Sequence, residues 1–151
     1  MTIERSELRD RAVRAMLPIA AEDGWNRSTL RAGFAAAGED PELAESHFPD
    51  GPAGAVAAWI DLADREMEAA AAAEDMSALR TPGRIRRVVE LRLAATAPHK
   101  RALRRAFSLM ALPWNAGLAL ETAARTARSR ASLRSITGAL PPPRRRARSP
   151  R

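Results

Sequence analysis

Val56, Trp59, Ile60, Ala63, Met67 and Ala70 recur at steps of three and four residues, which is the period of one face of an α-helix. A half-buried strand would need alternation at every second position. The residues that favour strands are also scarce, since the 151-residue chain has three Trp, three Phe and no Tyr. Alanine takes their place, so packing must come from close approach of helices rather than from large side chains. Hydrophobic residues still make up 46% of the chain, enough for a globular core. The expected fold class is all-α.

Gly and Pro divide the remaining sequence into further helical stretches. A first helix is expected over 5–21, with Leu8, Ala12, Ala15, Met16 and Ile19 near helical spacing and Pro18 kinking or ending it. Ser28 is a plausible N-cap for a short helix to residue 37, with Gly38 as its stop. Asp40-Pro41 opens a helix to about residue 48, and Pro49-Asp50-Gly51-Pro52 is a turn before the long helix 54–73. Helices over 83–96, 99–112 and 116–130 follow, interrupted by Pro98 and by Leu112-Pro113. From Ser132 the apolar period stops, and Pro141-Pro142-Pro143 leads into Arg144, Arg145, Arg146, Arg148 and Arg151. Such a segment cannot build a core. The expected organisation is one helical domain over 1–131 and a disordered Pro/Arg-rich tail over 132–151.

The net charge of +7 suggests a nucleic-acid binder until it is divided along the chain. Residues 1–79 hold 7 basic and 16 acidic side chains, whereas residues 80–105 hold 9 basic and 1 acidic. The basic set there is Arg80, Arg84, Arg86, Arg87, Arg92, Lys100, Arg101, Arg104 and Arg105. These residues form either a solvated face paired with the acidic half or a surface attracted to anionic lipid.

Residues 25–48 have helix-turn-helix proportions and resemble the DNA-binding module of TetR-type repressors. A recognition helix presents basic and amide side chains to phosphates and base edges. Here Glu39, Asp40, Glu42 and Glu45 occupy that place, and no Arg or Lys lies between Gly33 and Phe48. Four carboxylates oppose the counterion release that drives DNA binding, so no specific DNA partner is expected. His47 and His99 lie far apart without metal-ligand spacing around them, and cysteine is absent, so no metal is expected. No P-loop, dinucleotide fingerprint, nucleophile elbow or HExxH motif is present, and neither catalysis nor a cofactor is expected. The opening MTIERSELRD mixes both charges, and no run approaches the roughly 18 apolar residues of a membrane span. A cytoplasmic location is expected, with peripheral contact on the inner face of the membrane.

Trp59, Met67, Phe107, Met110 and Trp114 are the large side chains of the later helices. Such stripes are ordinarily core. Among alanines, however, a few Met and aromatic side chains can also enclose an apolar cavity, and these five residues are the candidate lipid-binding set.

Several segments resemble one family in order and spacing. They are Met16-Leu17-Pro18, Asp23-Gly24-Trp25, Thr29-Leu30-Arg31, Ala37-Gly38, Phe48-Pro49, residues 85–93 (IRRVVELRL) and residues 109–115 (LMALPWN). Over about residues 5–127 the chain is similar to the ubiquinone-biosynthesis accessory proteins, the ninth coenzyme Q biosynthesis protein. The resemblance implies a TetR-like helical fold without DNA binding, and a homodimer that docks peripherally on the membrane. It also implies a non-enzymatic role: binding isoprenoid quinone intermediates and presenting them to the demethoxyubiquinone hydroxylase. The alternative is a TetR-type transcriptional regulator. Past about Ala127 the likeness ends, because the family's Asn-Trp-Tyr segment and its following amphipathic helix have no counterpart in this sequence.

Overall fold

A computed structural model describes residues 5–75 and 78–136, with side-chain surroundings through Arg128. Seven α-helices are found among the described residues, and no strand: α1 (Glu7–Asp23), α2 (Arg27–Ala36), α3 (Leu43–His47), α4 (Gly51–Ala73), α5 (Thr81–Thr96), α6 (Lys100–Met110) and α7 (Ala116–Ile136). The all-α fold expected from the apolar period is the fold observed. The last helix continues to Ile136, past the domain boundary expected at 131. The rest of the expected tail lies outside the described residues.

Local chemistry accounts for the start of α1 and for both ends of α2. Ser6 caps α1, its Oγ accepting the Arg9 N–H at 3.2 Å, with Glu7 and Asp10 in the first turn. Of the two outcomes expected of Pro18, a kink or an end, the end does not occur: the helix continues past it to Asp23. Pro18 and Arg14 both lie on the exposed side of α1, where water can satisfy the Arg14 carbonyl that loses its helical donor. Asn26, rather than Ser28, caps α2, its side-chain oxygen accepting the Thr29 N–H at 2.9 Å. Gly38 terminates α2 as expected. At φ +80° it lets the Gly38 and Glu39 N–H groups turn back onto the Ala35 and Phe34 carbonyls, each at 3.0 Å.

The main core lies where α1, α2, α4 and α6 meet. Met16, Phe34, Phe48, Leu30, Val56 and Ala102 are all essentially inaccessible to solvent within it. Small residues set its spacing. A Cβ placed on Gly33 would come within 2.2 Å of Met16 Cγ, so α2 can cross α1 at this distance only with glycine there. Trp25 stacks on Trp59 at 5.7 Å between ring centroids, and Phe34 meets Phe48 edge-on at 6.0 Å.

Two buried carboxylates on α4 are each tied to another part of the chain. Asp61 accepts from Arg5 at 2.8 and 3.1 Å and from Arg65 at 3.0 Å, while Arg65 grips Asp10 with two bonds of 2.8 and 3.0 Å. Burial alone would push the Asp61 carboxyl up. The hydrogen bonds from Arg5 and Arg65, with their positive charges, more than offset this and hold it below its ordinary value. The second carboxylate, Asp64, faces α5 and α7. By contrast, α5 buries no residue fully. It rests Val88 and Leu91 on Met67 and Ala71, and it is tied to α4 by Arg92 and to Glu74 just beyond α4 by Arg87.

Candidate functional site

Around α2 and α3 three of the four carboxylates are paired, with Arg11 on Glu39 at 2.6 Å, Arg31 on Glu42 at 2.9 Å and Arg27 on Glu45 at 3.5 Å, while Asp40 accepts the Glu42 N–H at 2.9 Å. The arginines of α2 that could face a phosphate are thus engaged with α3, itself only five residues long. His47 turns Nδ1 onto the Leu43 carbonyl at 2.9 Å and packs 5.5 Å from the Phe34 ring. His99 meets the Trp59 ring edge-on at 6.3 Å. Among the described residues, no group of three or more His, Asp or Glu side chains could hold a metal ion.

Part of the basic segment is answered by acids. Arg101 reaches Glu22 at 2.7 Å, Arg87 reaches Glu74 at 2.7 Å, Arg86 approaches Glu90 at 3.4 Å and Arg92 reaches Asp64 at 2.8 Å. Arg105 donates to the Glu22 carbonyl at 2.8 Å. No helix among the described residues is long and apolar enough to cross a membrane. One apolar stripe on α5 faces solvent, formed by Ile85, Val89 and Leu93.

A cavity of about 720 Å³ opens between α4, α5, α6 and α7. That volume is within the usual range for small-molecule sites. Val56 and Ile60 form one wall, Leu103, Ala106, Phe107 and Met110 a second, and Ala119, Thr122, Ala123, Thr126 and Ala127 a third. Its walls owe their spacing to alanine, because small side chains from α6 and α7 leave room that Leu or Phe would fill. Arg92 from α5 is the one charged residue in the lining. Thr122 satisfies its hydroxyl on the Leu118 carbonyl at 2.8 Å, within its own helix.

The five residues singled out in the sequence separate into four positions. Phe107 and Met110 line the cavity, and Phe107, 66% exposed, stands at its open side. Trp59 lies in the main core against Trp25, away from the cavity lining. Met67 belongs to the small cluster beneath α5, where Arg92 Nη1 approaches its Sδ at 4.0 Å. Trp114 is 77% exposed, on the short 3₁₀ turn between α6 and α7.

Sequence reasoning passed over the polar end of this cavity. Asp64, only 5% exposed, stands behind the lining residues Arg92 and Thr126 rather than in the lining itself. Its Oδ2 accepts the Thr126 hydroxyl at 2.8 Å, and its Oδ1 sits 2.8 Å from Arg92 Nη1. The signal was present in the spacing, for Val56, Ile60 and Asp64 follow at steps of four along one helical face. A carboxylate in line with an apolar stripe marks a buried acid that needs a partner.

Compared with known protein families, curated proteins and solved structures, the chain matches none. The cavity and its polar end are therefore read from their own chemistry.

Proposed function

We propose that the chain is a non-enzymatic carrier of an apolar lipid held in the cavity between α4, α5, α6 and α7. The observation that carries this reading is the lining itself: Val56, Ile60, Leu103, Phe107 and Met110 among alanines, opening at an exposed phenylalanine. Covering such a surface with an apolar chain removes it from water, worth roughly 25 cal/mol for each Å² of apolar area. The resemblance in residues 5–127 names the lipid as an isoprenoid quinone intermediate of ubiquinone biosynthesis, presented by a TetR-like homodimer to the demethoxyubiquinone hydroxylase. Peripheral membrane contact is supported by the exposed Ile85, Val89 and Leu93 beside the exposed Arg86 on α5. The pairing of Arg27 and Arg31 on α2 with Glu45 and Glu42 weighs against the alternative, a DNA-binding regulator.

Mass spectrometry of lipids copurifying with the protein tests this directly. The expected result is an isoprenoid quinone in the wild type, lost in Ala119→Trp, which fills the cavity, with helicity and thermal midpoint nearly unchanged. A protein that retains no lipid, and takes up none from vesicles containing a prenylated quinone, would overturn the reading. Flotation with anionic vesicles and sedimentation equilibrium test the membrane contact and the dimer separately.

A further inference from the structure

Arg92 and Thr126 form a polar end to an otherwise apolar cavity, and the buried Asp64 stands behind them, its charge cancelling that of Arg92. We infer that this cluster selects the head of the bound molecule, admitting an uncharged, hydrogen-bond-accepting head and rejecting a carboxylate; the inference rests on the cavity being a lipid site.

The argument starts from Asp64. Its Oδ2 is satisfied by Thr126, but its Oδ1 is buried and receives no hydrogen bond among the described residues. Arg92 approaches Oδ1 to 2.8 Å, so the pair is held by charge, while Nη1 is also within reach of Met67 Sδ at 4.0 Å. The guanidinium side chain is 31% exposed and lines the cavity, and a planar guanidinium carries five N–H donors. A ligand oxygen reaching this end therefore meets donors.

Charge then decides which oxygen. A carboxylate on Arg92 would have to compete with Asp64, a like charge already in place beside the guanidinium, and would lose its own hydration on entering the cavity. A cationic head would meet Arg92 itself. An ester, ketone or ether oxygen meets neither penalty. It accepts from the guanidinium while its chain lies along Ile60, Leu103 and Met110.

The test uses two probes that share one acyl chain and differ at the head, methyl dodecanoate and dodecanoate, at about pH 8, where the acid is ionised. Affinities are read by displacement of an environment-sensitive fluorophore from the full chain. The ester is expected to bind at least about tenfold more tightly than the carboxylate. Asp64→Asn leaves Arg92 without its counter-charge, so this preference should shrink by about tenfold or invert. Arg92→Met should weaken the ester about fivefold, and this arm stands alone if Asp64→Asn fails to fold by circular dichroism. Equal binding of the two probes by the wild type, a preference unchanged in Asp64→Asn, or undiminished ester binding in Arg92→Met would each overturn the head-group assignment and leave the lipid site standing. If the wild type displaces the fluorophore with neither probe, both the site and its selectivity fall together.

Discussion

Trp25 donates its indole N–H to the backbone oxygen of Ala102 at 3.0 Å, joining the turn before α2 to the first turn of α6 across 77 residues of sequence. Both residues are buried, so the bond forms where water cannot replace it. The Trp25 ring also stacks on Trp59 of α4, and three helices therefore share one side chain.

Removing that donor while keeping an aromatic ring isolates its contribution. Trp25→Phe should destabilise the protein by about 1–3 kcal/mol, combining the lost hydrogen bond with the smaller ring. For a chain of this size that lowers the thermal midpoint by roughly 2–4 °C per kcal/mol. Urea unfolding followed by circular dichroism measures it. An unchanged midpoint would mean that the bond is not made in solution.

Asp61 makes stability depend on acid in a direction fixed by its environment. Its carboxyl is held below the ordinary value of 3.8, so the folded state binds the proton less readily than the unfolded state. The stabilisation is present above that ordinary value and is lost as pH falls below it, through the lower value of the folded state. Asp61→Asn should cost about 2 kcal/mol near neutrality, less than a fully buried pair because Arg5 is 59% exposed. Unfolding free energies between about pH 5 and pH 2 should fall less steeply in the variant than in the wild type.

Gly33→Ala tests the crossing of α1 and α2. Alanine would favour the helix by about 1 kcal/mol on propensity alone. Against that, its Cβ would collide with the buried Met16 at 2.2 Å and press on the Ala12 carbonyl at 3.3 Å. The collision should win, leaving a net loss of about 1–3 kcal/mol. Combining Gly33→Ala with Met16→Val should cost less than the sum of the two single changes, and thermal melts of the four proteins would show the coupling.

Nucleic acid should bind weakly and without sequence preference. Arg27 and Arg31 are engaged by Glu45 and Glu42, so any attraction to duplex DNA comes from other basic side chains and fades steeply with salt. Fluorescence anisotropy against a pool of random duplexes at two salt concentrations is the measurement. A sequence-selective complex at physiological salt, lost on mutation within residues 41–48, would contradict it.

The sequence was most legible where one face of a helix carries the message. The steps of three and four in α4 announced a helix, and a helix is found there. Phe107 and Met110 were legible as cavity residues because they lie on the amphipathic face of α6. Trp59 and Trp114 were not, since large apolar side chains at helical spacing look alike whether they enter a core, a cavity or solvent. The polar end of the cavity required three helices to be brought together. Asp64, Arg92 and Thr126 belong to α4, α5 and α7, and no local pattern relates a carboxylate to a hydroxyl 62 residues away. Pro18 left two outcomes open for a different reason: whether a proline ends a helix depends on which side its missing donor faces, and that is a tertiary fact.

Ala102 and Ala106 complete the core that α1, α2 and α4 begin, and this sets an order of events during synthesis on the ribosome. A nascent chain that has reached only the end of α4 holds Trp25 and Trp59 but lacks the backbone that takes the indole proton and the alanines that close over the rings. About thirty more residues must be added before they arrive, on the order of a few seconds at ~5–20 residues per second. For that interval the emerging half carries an excess of acidic side chains together with an uncovered aromatic pair. Its mutual repulsion would keep neighbouring nascent chains apart until the basic helices emerge and seal the seam.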